Sequence, residues 1–353
     1  MRPFPSRAAR RACTAVLFAL AAVATASAPA SAHGGSPPTR VKVLAEGLSS
    51  PKGLTAAFGV VPIVAQGAFG PPGPVVLVAG GRTKALTEPM GAVDVALAGD
   101  GSLWILASDT GQLYRQARGR TTHVADIPAY QAVDVDDLTT DGNPEESNAY
   151  GLAVLPNGDA LVADAAGNDV LRVSRKGLIR TVARFLPEMV STDHIPDFDG
   201  PPAIPAEAVP TSIAVTRRGI YVGELKGFPF RPGSSHVYRL PLDAIDATCS
   251  GAASNAGCKV VESGLTSIQD IAIDPATGTL YVYELAAEGT FAFEAGFETG
   301  EFPPAVLLAI DGSRRRELAA GQLSQPGGVT AAFGIVHVTD GTFGNGRLLR
   351  ITG

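Results

Sequence analysis

Leu48-Ser49-Ser50-Pro51-Lys52-Gly53-Leu54-Thr55-Ala56-Ala57-Phe58-Gly59-Val60-Val61 returns near the other end of the chain. There it reads Leu323-Ser324-Gln325-Pro326-Gly327-Gly328-Val329-Thr330-Ala331-Ala332-Phe333-Gly334-Ile335-Val336. The copies lie 275 residues apart, so the two ends of the folded part follow one template. A repeat at both ends, with degenerate copies between, is what a ring of like units leaves in a sequence, and it predicts an all-β, closed β-propeller. The unit opens with a short strand of the form small/Asp-aliphatic-Ala/Thr. Openings occur at Gly53-Leu54-Thr55, Asp94-Val95-Ala96, Gly151-Leu152-Ala153, Ser212-Ile213-Ala214, Asp270-Ile271-Ala272 and Gly328-Val329-Thr330. Successive spacings of 41, 57, 61, 58 and 58 residues add up to the same 275, so the ring has six blades.

Second strands are expected at Val60–Val64, Leu103–Leu106, Ala160–Ala163, Ile220–Gly223, Leu280–Tyr283 and Val336–Thr339. Third strands are expected at Val75–Ala79, Gln112–Gln116, Asp169–Val173, His236–Leu240, Val306–Ile310 and Arg347–Ile351. Alternation of period two is clearest in His236-Val237-Tyr238-Arg239-Leu240, and no segment sustains a period of 3.6, so helices should be few. The last blade lacks a fourth strand, because the chain ends at Gly353. Val41-Lys42-Val43-Leu44 resembles the fourth strands Ile179–Ala183 and Arg315–Ala319 and should complete that blade, closing the ring and removing free sheet edges.

The N-terminus reads as an export signal over residues 1–32. Arg2, Arg7, Arg10 and Arg11 precede an apolar run, Ala12 to Ala24, too short to span a bilayer, and Ala30-Ser31-Ala32 supplies a small-x-small cleavage site. Arg10-Arg11 lacks the apolar residues that follow a twin-arginine pair, so general secretion is expected. A short linker, 33–40, then leads into a single propeller domain, 41–353. Cleavage leaves 24 basic and 34 acidic residues, a net charge near −10, which argues against nucleic acid or an anionic membrane as partner. No later stretch is long and apolar enough for a membrane helix. Cys249 and Cys258, an even pair close in sequence on an exported chain, read as a disulfide.

Ser147-Asn148-Ala149-Tyr150-Gly151-Leu152-Ala153-Val154-Leu155-Pro156-Asn157-Gly158-Asp159-Ala160-Leu161-Val162-Ala163-Asp164, continuing to Asn168-Asp169-Val170-Leu171-Arg172-Val173, is similar to a complete NHL repeat. With Ala208-Val209-Pro210-Thr211-Ser212-Ile213-Ala214-Val215, Tyr221-Val222-Gly223-Glu224-Leu225 and Gly227-Phe228-Pro229-Phe230, the chain resembles the ScyD/ScyE family over essentially its whole mature length. That resemblance implies a six-bladed propeller outside the cytoplasm. It also implies an association with genes for a cyanobacterial indole-phenol pigment, and it carries over no catalytic residue. Asn148-Ala149-Tyr150 stands where the family has Asn-Pro-Tyr.

Blade-to-blade connections and second-to-third-strand loops emerge on one face of a propeller. Asp164, Glu224, Glu284 and Asp340 end second strands in four consecutive blades; Asp94 and Asp270 open first strands, and Asn148 precedes another. Asn148, Asp164, Glu224, Asp270 and Glu284 together would suit Ca2+, a hard cation with oxygen ligands. The other reading is that each acid accepts backbone N–H groups of its own turn. Eight phenylalanines fall in the same loops: Phe69, Phe228, Phe230, Phe291, Phe293, Phe297, Phe302 and Phe343. Phe228, Phe230, Phe291 and Phe293, with Tyr150, are the candidate ligand-binding residues, since an aromatic mouth with a few acids suits a flat organic ligand or a protein partner. The same rings would alternatively pin long loops onto neighbouring blades. Asp193, His194 and Asp197 lie in a Pro-rich insertion from Phe185 to Pro210, and Asp134-Val135-Asp136-Asp137 with Asp141 form an acidic loop one blade earlier. The disulfide loop should lie on the opposite face.

Nucleophile-elbow, zinc-protease and phosphate-loop motifs are absent, and the five histidines are spread over different units. The leading expectation is a secreted, non-enzymatic propeller binding an organic ligand or an extracellular protein on its acidic, Phe-rich face. The competing one is a calcium-dependent ester or lactone hydrolase. A third is a purely structural scaffold with a plugged channel.

Overall fold

A computed structural model describes residues 39–353 apart from 108, 135–138, 141, 252–254 and 256. The expected signal peptide lies outside the described residues, as do Val135, Asp136, Asp137 and Asp141 of the acidic loop. Six small antiparallel sheets follow one another along the chain as the blades of a propeller. Second strands run over Val61–Val64, Leu103–Ala107, Ala160–Asp164, Gly219–Glu224, Leu280–Glu284 and Ile335–Asp340, close to the expected bounds. Among the described residues no helix is long and apolar enough to cross a membrane.

These central strands are mostly apolar, apart from the acids that end four of them, because every blade is packed on both faces. Leu103–Ala107 and Ala160–Asp164 are buried throughout. The core is accordingly divided into layers at the blade interfaces. Trp104, Leu106, Val162 and Leu171 fill the layer between blades 2 and 3, and Leu161, Phe185, Ile220 and Tyr238 that between 3 and 4. The layer at the seam, between blades 6 and 1, is made of Leu48, Leu54, Val64, Val76, Val78 and Leu348.

Arg40–Ser49 is the strand that closes the ring. It pairs antiparallel with Asn345–Thr352, Arg40 facing Thr352 and Ser49 facing Asn345, with two bulges. The expected closure through Val41–Leu44 is therefore observed, on a longer strand. Polar links reinforce the seam: the Thr339 hydroxyl donates to the Lys52 carbonyl at 2.6 Å, and the Ser50 N–H donates to the Gly344 carbonyl at 2.8 Å.

Two elements differ from the sequence reading. Within Leu285–Pro304, expected as a loop, Thr290–Thr299 is a helix closed by Gly300 in the left-handed conformation. The disulfide segment, expected on the face opposite the candidate site, climbs instead along the outer edge of blade 3. Ala247–Cys249 pairs in parallel with Ile179–Phe185, Phe185 facing Cys249, and Leu186 donates its N–H to the Cys249 carbonyl at 2.9 Å. The open edge of blade 3 offers unpaired backbone groups, and the connection satisfies them. The Cys249–Cys258 bond is formed, with both residues buried in the layer between blades 3 and 4.

Replacing Cys249 and Cys258 by Ala should lower stability by about 2–3 kcal/mol, from the chain entropy of the loop they close. Urea unfolding of the double variant beside the oxidised protein measures this, and an unchanged midpoint would show that the strand pairing alone holds the segment.

Candidate functional site

The channel is filled from three blades. Lys52, 2% exposed, lies over the Tyr150 ring with its Nζ 3.9 Å from the ring centre, and donates to the Tyr150 carbonyl at 3.2 Å. Gln269 reaches across from blade 5 and donates to the Tyr150 hydroxyl at 2.7 Å. Asp94 accepts the N–H of Leu152 from the next blade at 2.7 Å, and Asp270 accepts that of Val329 at 2.7 Å. Burial holds both carboxyls above the ordinary carboxylate range; Asp94 further raises Asp270, while the Lys52 ammonium pulls both back. A filled channel is what the scaffold reading expects.

The acids proposed as calcium ligands are engaged separately. Asp164, fully buried, accepts the N–H of Asn148 at 2.6 Å, the hydroxyl of Ser147 at 2.5 Å and the N–H of Gly167 at 3.1 Å. Glu284 accepts the N–H of Thr266 at 2.7 Å, and Asp340 that of Ser324 at 2.7 Å. Each of these three carboxylates clasps the connection entering its own blade. Asp270 lies in the channel wall, so the four acids of the calcium set, Asp164, Glu224, Asp270 and Glu284, are each hydrogen-bonded to different partners.

Glu224 does join a cluster, with different partners. Among the described residues, one group of three acidic or imidazole side chains has its ligand atoms mutually within 4.8 Å: Glu188, Glu224 and His236. The Lys226 ammonium already sits there, 2.9 Å from Glu224 and 3.2 Å from Glu188, and is 1% exposed. His236 Nδ1 lies 2.6 Å from Glu224, and the Tyr238 hydroxyl donates to Glu224 at 3.2 Å. Lys226 thus supplies internally the positive charge that a metal would bring. Sequence reading missed Glu188 and Lys226: Glu188 lies in the Pro-rich insertion, and only the fold brings it against blade 4.

All eight loop phenylalanines gather on the upper face, in two groups. Phe228, Phe230 and Phe291 meet edge to face, Phe228 and Phe291 at 6.2 Å between ring centres and Phe230 and Phe291 at 5.3 Å, with Phe198 joining Phe228 at 6.0 Å. Phe69 stacks on Phe343 at 4.7 Å and touches Tyr150 at 6.4 Å; Phe343 in turn contacts Phe293 and Phe297. Phe293, at 3% exposure, anchors the helix between Phe297 and Phe302, so it is placed to pin the loop and not to meet a ligand. Phe69, Phe228 and Phe297 remain 43%, 39% and 54% exposed. The Pro-rich insertion folds over this face as a rim. His194 bonds the Pro229 carbonyl at 2.8 Å and Asp193 pairs with Arg231, which ties the insertion to the blade 4 loop.

No family model matches the chain, and no curated protein matches it. Solved structures do resemble it. Virginiamycin B lyase from Staphylococcus aureus is 13% identical, with 89% of this chain and 99% of that one covered, at a TM-score of 0.51. A Thermus thermophilus structure described as an oxidoreductase (glucose dehydrogenase) is 16% identical over 89% and 99%, also at 0.51. A structure described as a gluconolactonase is 12% identical over 89% and 92%, at 0.52. At such identities the likeness is one of fold, shared with proteins of different chemistry.

Phe293→Ala should cost about 3–5 kcal/mol of stability, whereas Phe228→Ala should cost about 1 kcal/mol or less; chemical unfolding of each variant checks the contrast. Burial also pushes Glu284 up to about 7, above its ordinary 4.5. Its contribution is present below pH 4.5 and is lost as pH rises through 7, because the folded state then has to release a proton it holds tightly. Glu284→Gln keeps an acceptor for Thr266 and removes the ionisation. The variant should match the parent at pH 4 and exceed it by roughly 1–3 kcal/mol at pH 8. His337, held down to about 4 by burial and by Arg350, acts oppositely: its contribution is present above pH 6.5 and is lost as pH falls toward 4.

Proposed function

We propose that the chain is an exported binding propeller that holds a flat organic ligand or a partner protein on its acidic, Phe-rich upper face. The observation that supports this best is the convergence of aromatic side chains from blades 1, 3, 4, 5 and 6 into adjoining groups, with Phe69, Phe228 and Phe297 left open to solvent. Rings that only pinned loops would be buried, as Phe293 is. Edge-to-face packing also leaves ring faces free for a planar guest. Export is supported by the disulfide, which persists in an oxidising compartment, and by the signal-like N-terminal sequence.

Hydrolysis is the second reading, favoured by the fold shared with the gluconolactonase-like structure and by buried carboxyls with raised proton affinity in the channel. It requires some of Asn148, Asp164, Glu224, Asp270 and Glu284 to face one ion, the acids among them turning from their present partners. The binding reading needs no such rearrangement, and it is the one adopted.

Titration with Nile red, an uncharged planar fluorophore, should give saturable binding that weakens about tenfold or more in Phe228→Ser and Phe291→Ser, with unfolding midpoints nearly unchanged. Equal binding by the parent and both variants would overturn the reading. Thermal unfolding should be the same in EDTA and in added calcium; a reversible drop of several degrees on chelation would favour the hydrolase.

A further inference from the structure

The lower face, formed by the hairpin turns of the blades, takes no part in the reading above. Two of its turns carry exposed phenylalanines: Phe58 in blade 1 is 91% exposed and Phe333 in blade 6 is 67% exposed. Both are first central residues of type I′ turns, Phe58-Gly59 at φ 53° and 73° and Phe333-Gly334 at φ 55° and 73°. This is the left-handed region, where Asn is favoured and a bulky ring is costly. The turns touch across the ring seam, since a Cβ at Gly59 would fall 2.8 Å from that of Ala332 and 3.5 Å from the Phe333 ring. Asp274 of blade 5 holds the second turn by accepting the Gly334 N–H at 2.6 Å. The two rings are therefore presented side by side as a largely exposed ridge, at a conformational cost that the contact of the Phe333 ring with the Gly59 turn offsets only in part.

Strand direction sorts the charges around this ridge. First and third strands end on the lower face, and fourth strands begin there. Arg40, Lys42, Arg82, Lys84 and Arg314 lie at those positions in blades 5, 6 and 1, all exposed and without an ion pair among the described residues. Among the lower acids, Asp100 pairs with Arg115, Asp159 with Arg172 and Glu262 with Arg315, Asp274 is buried beneath the second turn, and Asp243 and Asp311 stand exposed without an ion pair among the described residues. The upper face is the reverse. Its basic residues among those described are Lys52, buried in the channel, and Arg184, Lys226, Arg231 and Arg347, each paired with a carboxylate. Glu88, Asp109, Glu145, Glu288, Glu298 and Glu301 stand exposed there without such a partner.

We propose that copies of this chain stack head to tail, the basic Phe58–Phe333 ridge of one seating on the acidic, Phe-lined upper face of the next. A second copy is the partner whose two required chemistries, negative charge and exposed aromatic surface, are both present on this molecule. The contact joins unlike faces, so it leaves a free face at each end and propagates into columns. It draws on the acidic rim of the upper face and does not require the ligand reading.

Sedimentation velocity of the purified protein, from micromolar to near-millimolar concentration, tests this. In about 0.02 M salt the mass should grow with concentration beyond that of a dimer, and in about 0.5 M salt it should fall toward the monomer as the charges are screened. Phe58→Asn with Phe333→Asn removes the ridge while giving each turn its preferred Asn-Gly pair, so folding is retained. Glu298→Lys with Glu301→Lys reverses the opposite face. Each double variant should stay monomeric alone, and an equimolar mixture should form a dimer and stop there. A monomeric parent at every concentration, or a dimer indifferent to the ridge variant, would overturn the proposal. Cosedimentation of a monomeric parent with phosphatidylserine vesicles, lost in the ridge variant, would assign the ridge to an anionic lipid surface instead. Nile red binding at submicromolar protein should be equal in parent and ridge variant, which keeps this test separate from that of the upper-face ligand.

Discussion

The fold rests on how closely the six inner strands approach one another around the axis. At Gly53 a side chain would collide with Asp94, at Gly151 with Thr211, and at Gly328 with the Lys52 carbonyl. Where glycine does not permit the approach, a polar link makes it: Asp94 to the Leu152 N–H, Asp270 to the Val329 N–H, and the Thr211 hydroxyl to the Ile268 carbonyl at 2.7 Å. The motif small/Asp-aliphatic-Ala/Thr is thus a packing rule, with each opening residue shaped by the next blade. One result is a channel filled by a cation–π pair, the buried Lys52 over the half-buried Tyr150. Chemistry at the axis would need this pair to move apart, and the accessible surface lies above it, on the loops.

Blade number, strand positions and ring closure were legible because they follow from spacing, and spacing survives divergence at single positions. The site was legible in its materials and not in its connections. Asp164, Glu224 and Glu284 occur at one place in the repeat, and their register with Ala149, Pro210 and Ile268 confirms it. Equal register does not fix where a carboxylate turns. Asp164 finds two N–H groups and a hydroxyl within its own connection, whereas Glu224, one methylene longer, reaches sideways to Lys226 and His236. The Glu188 partner comes from an insertion whose path no local pattern encodes. The helix Thr290–Thr299 escaped for a related reason: Phe291, Phe293 and Phe297 do not fall on one helical stripe, and Phe291 packs toward blade 4 while Phe293 packs toward blade 6. Tertiary contacts on two sides, with Gly300 ending the last turn, settle it as a helix.

Net charge was a correct total and a poor guide to the surface. An antiparallel blade sends alternate strand ends to opposite faces, so residues that begin fourth strands, such as Arg82, Arg180 and Arg314, reach the lower face together although they are far apart in sequence. Insertions, which carry most of the acids, sit in the upper connections. The net charge, −6 for the whole chain and near −10 for residues 33–353, therefore describes neither face.

The segment that reveals the repeat also ends in the ridge, since both copies run Ala-Ala-Phe-Gly into the second strand. Ring closure places the first and last blades side by side, so residues 275 apart in sequence become neighbours. A single exposed Phe at a hairpin tip calls for no explanation. Two at equivalent tips, each in a backbone conformation that disfavours it and with their turns in contact across the seam, form a feature that closure itself creates. Folding gains little from the rings there, because both are mostly exposed and Asn at the same positions would suit the turns better. What such a ridge can gain lies outside the chain, and it depends on the ring being shut, so docking through it is coupled to the integrity of the seam that Arg40–Ser49 completes.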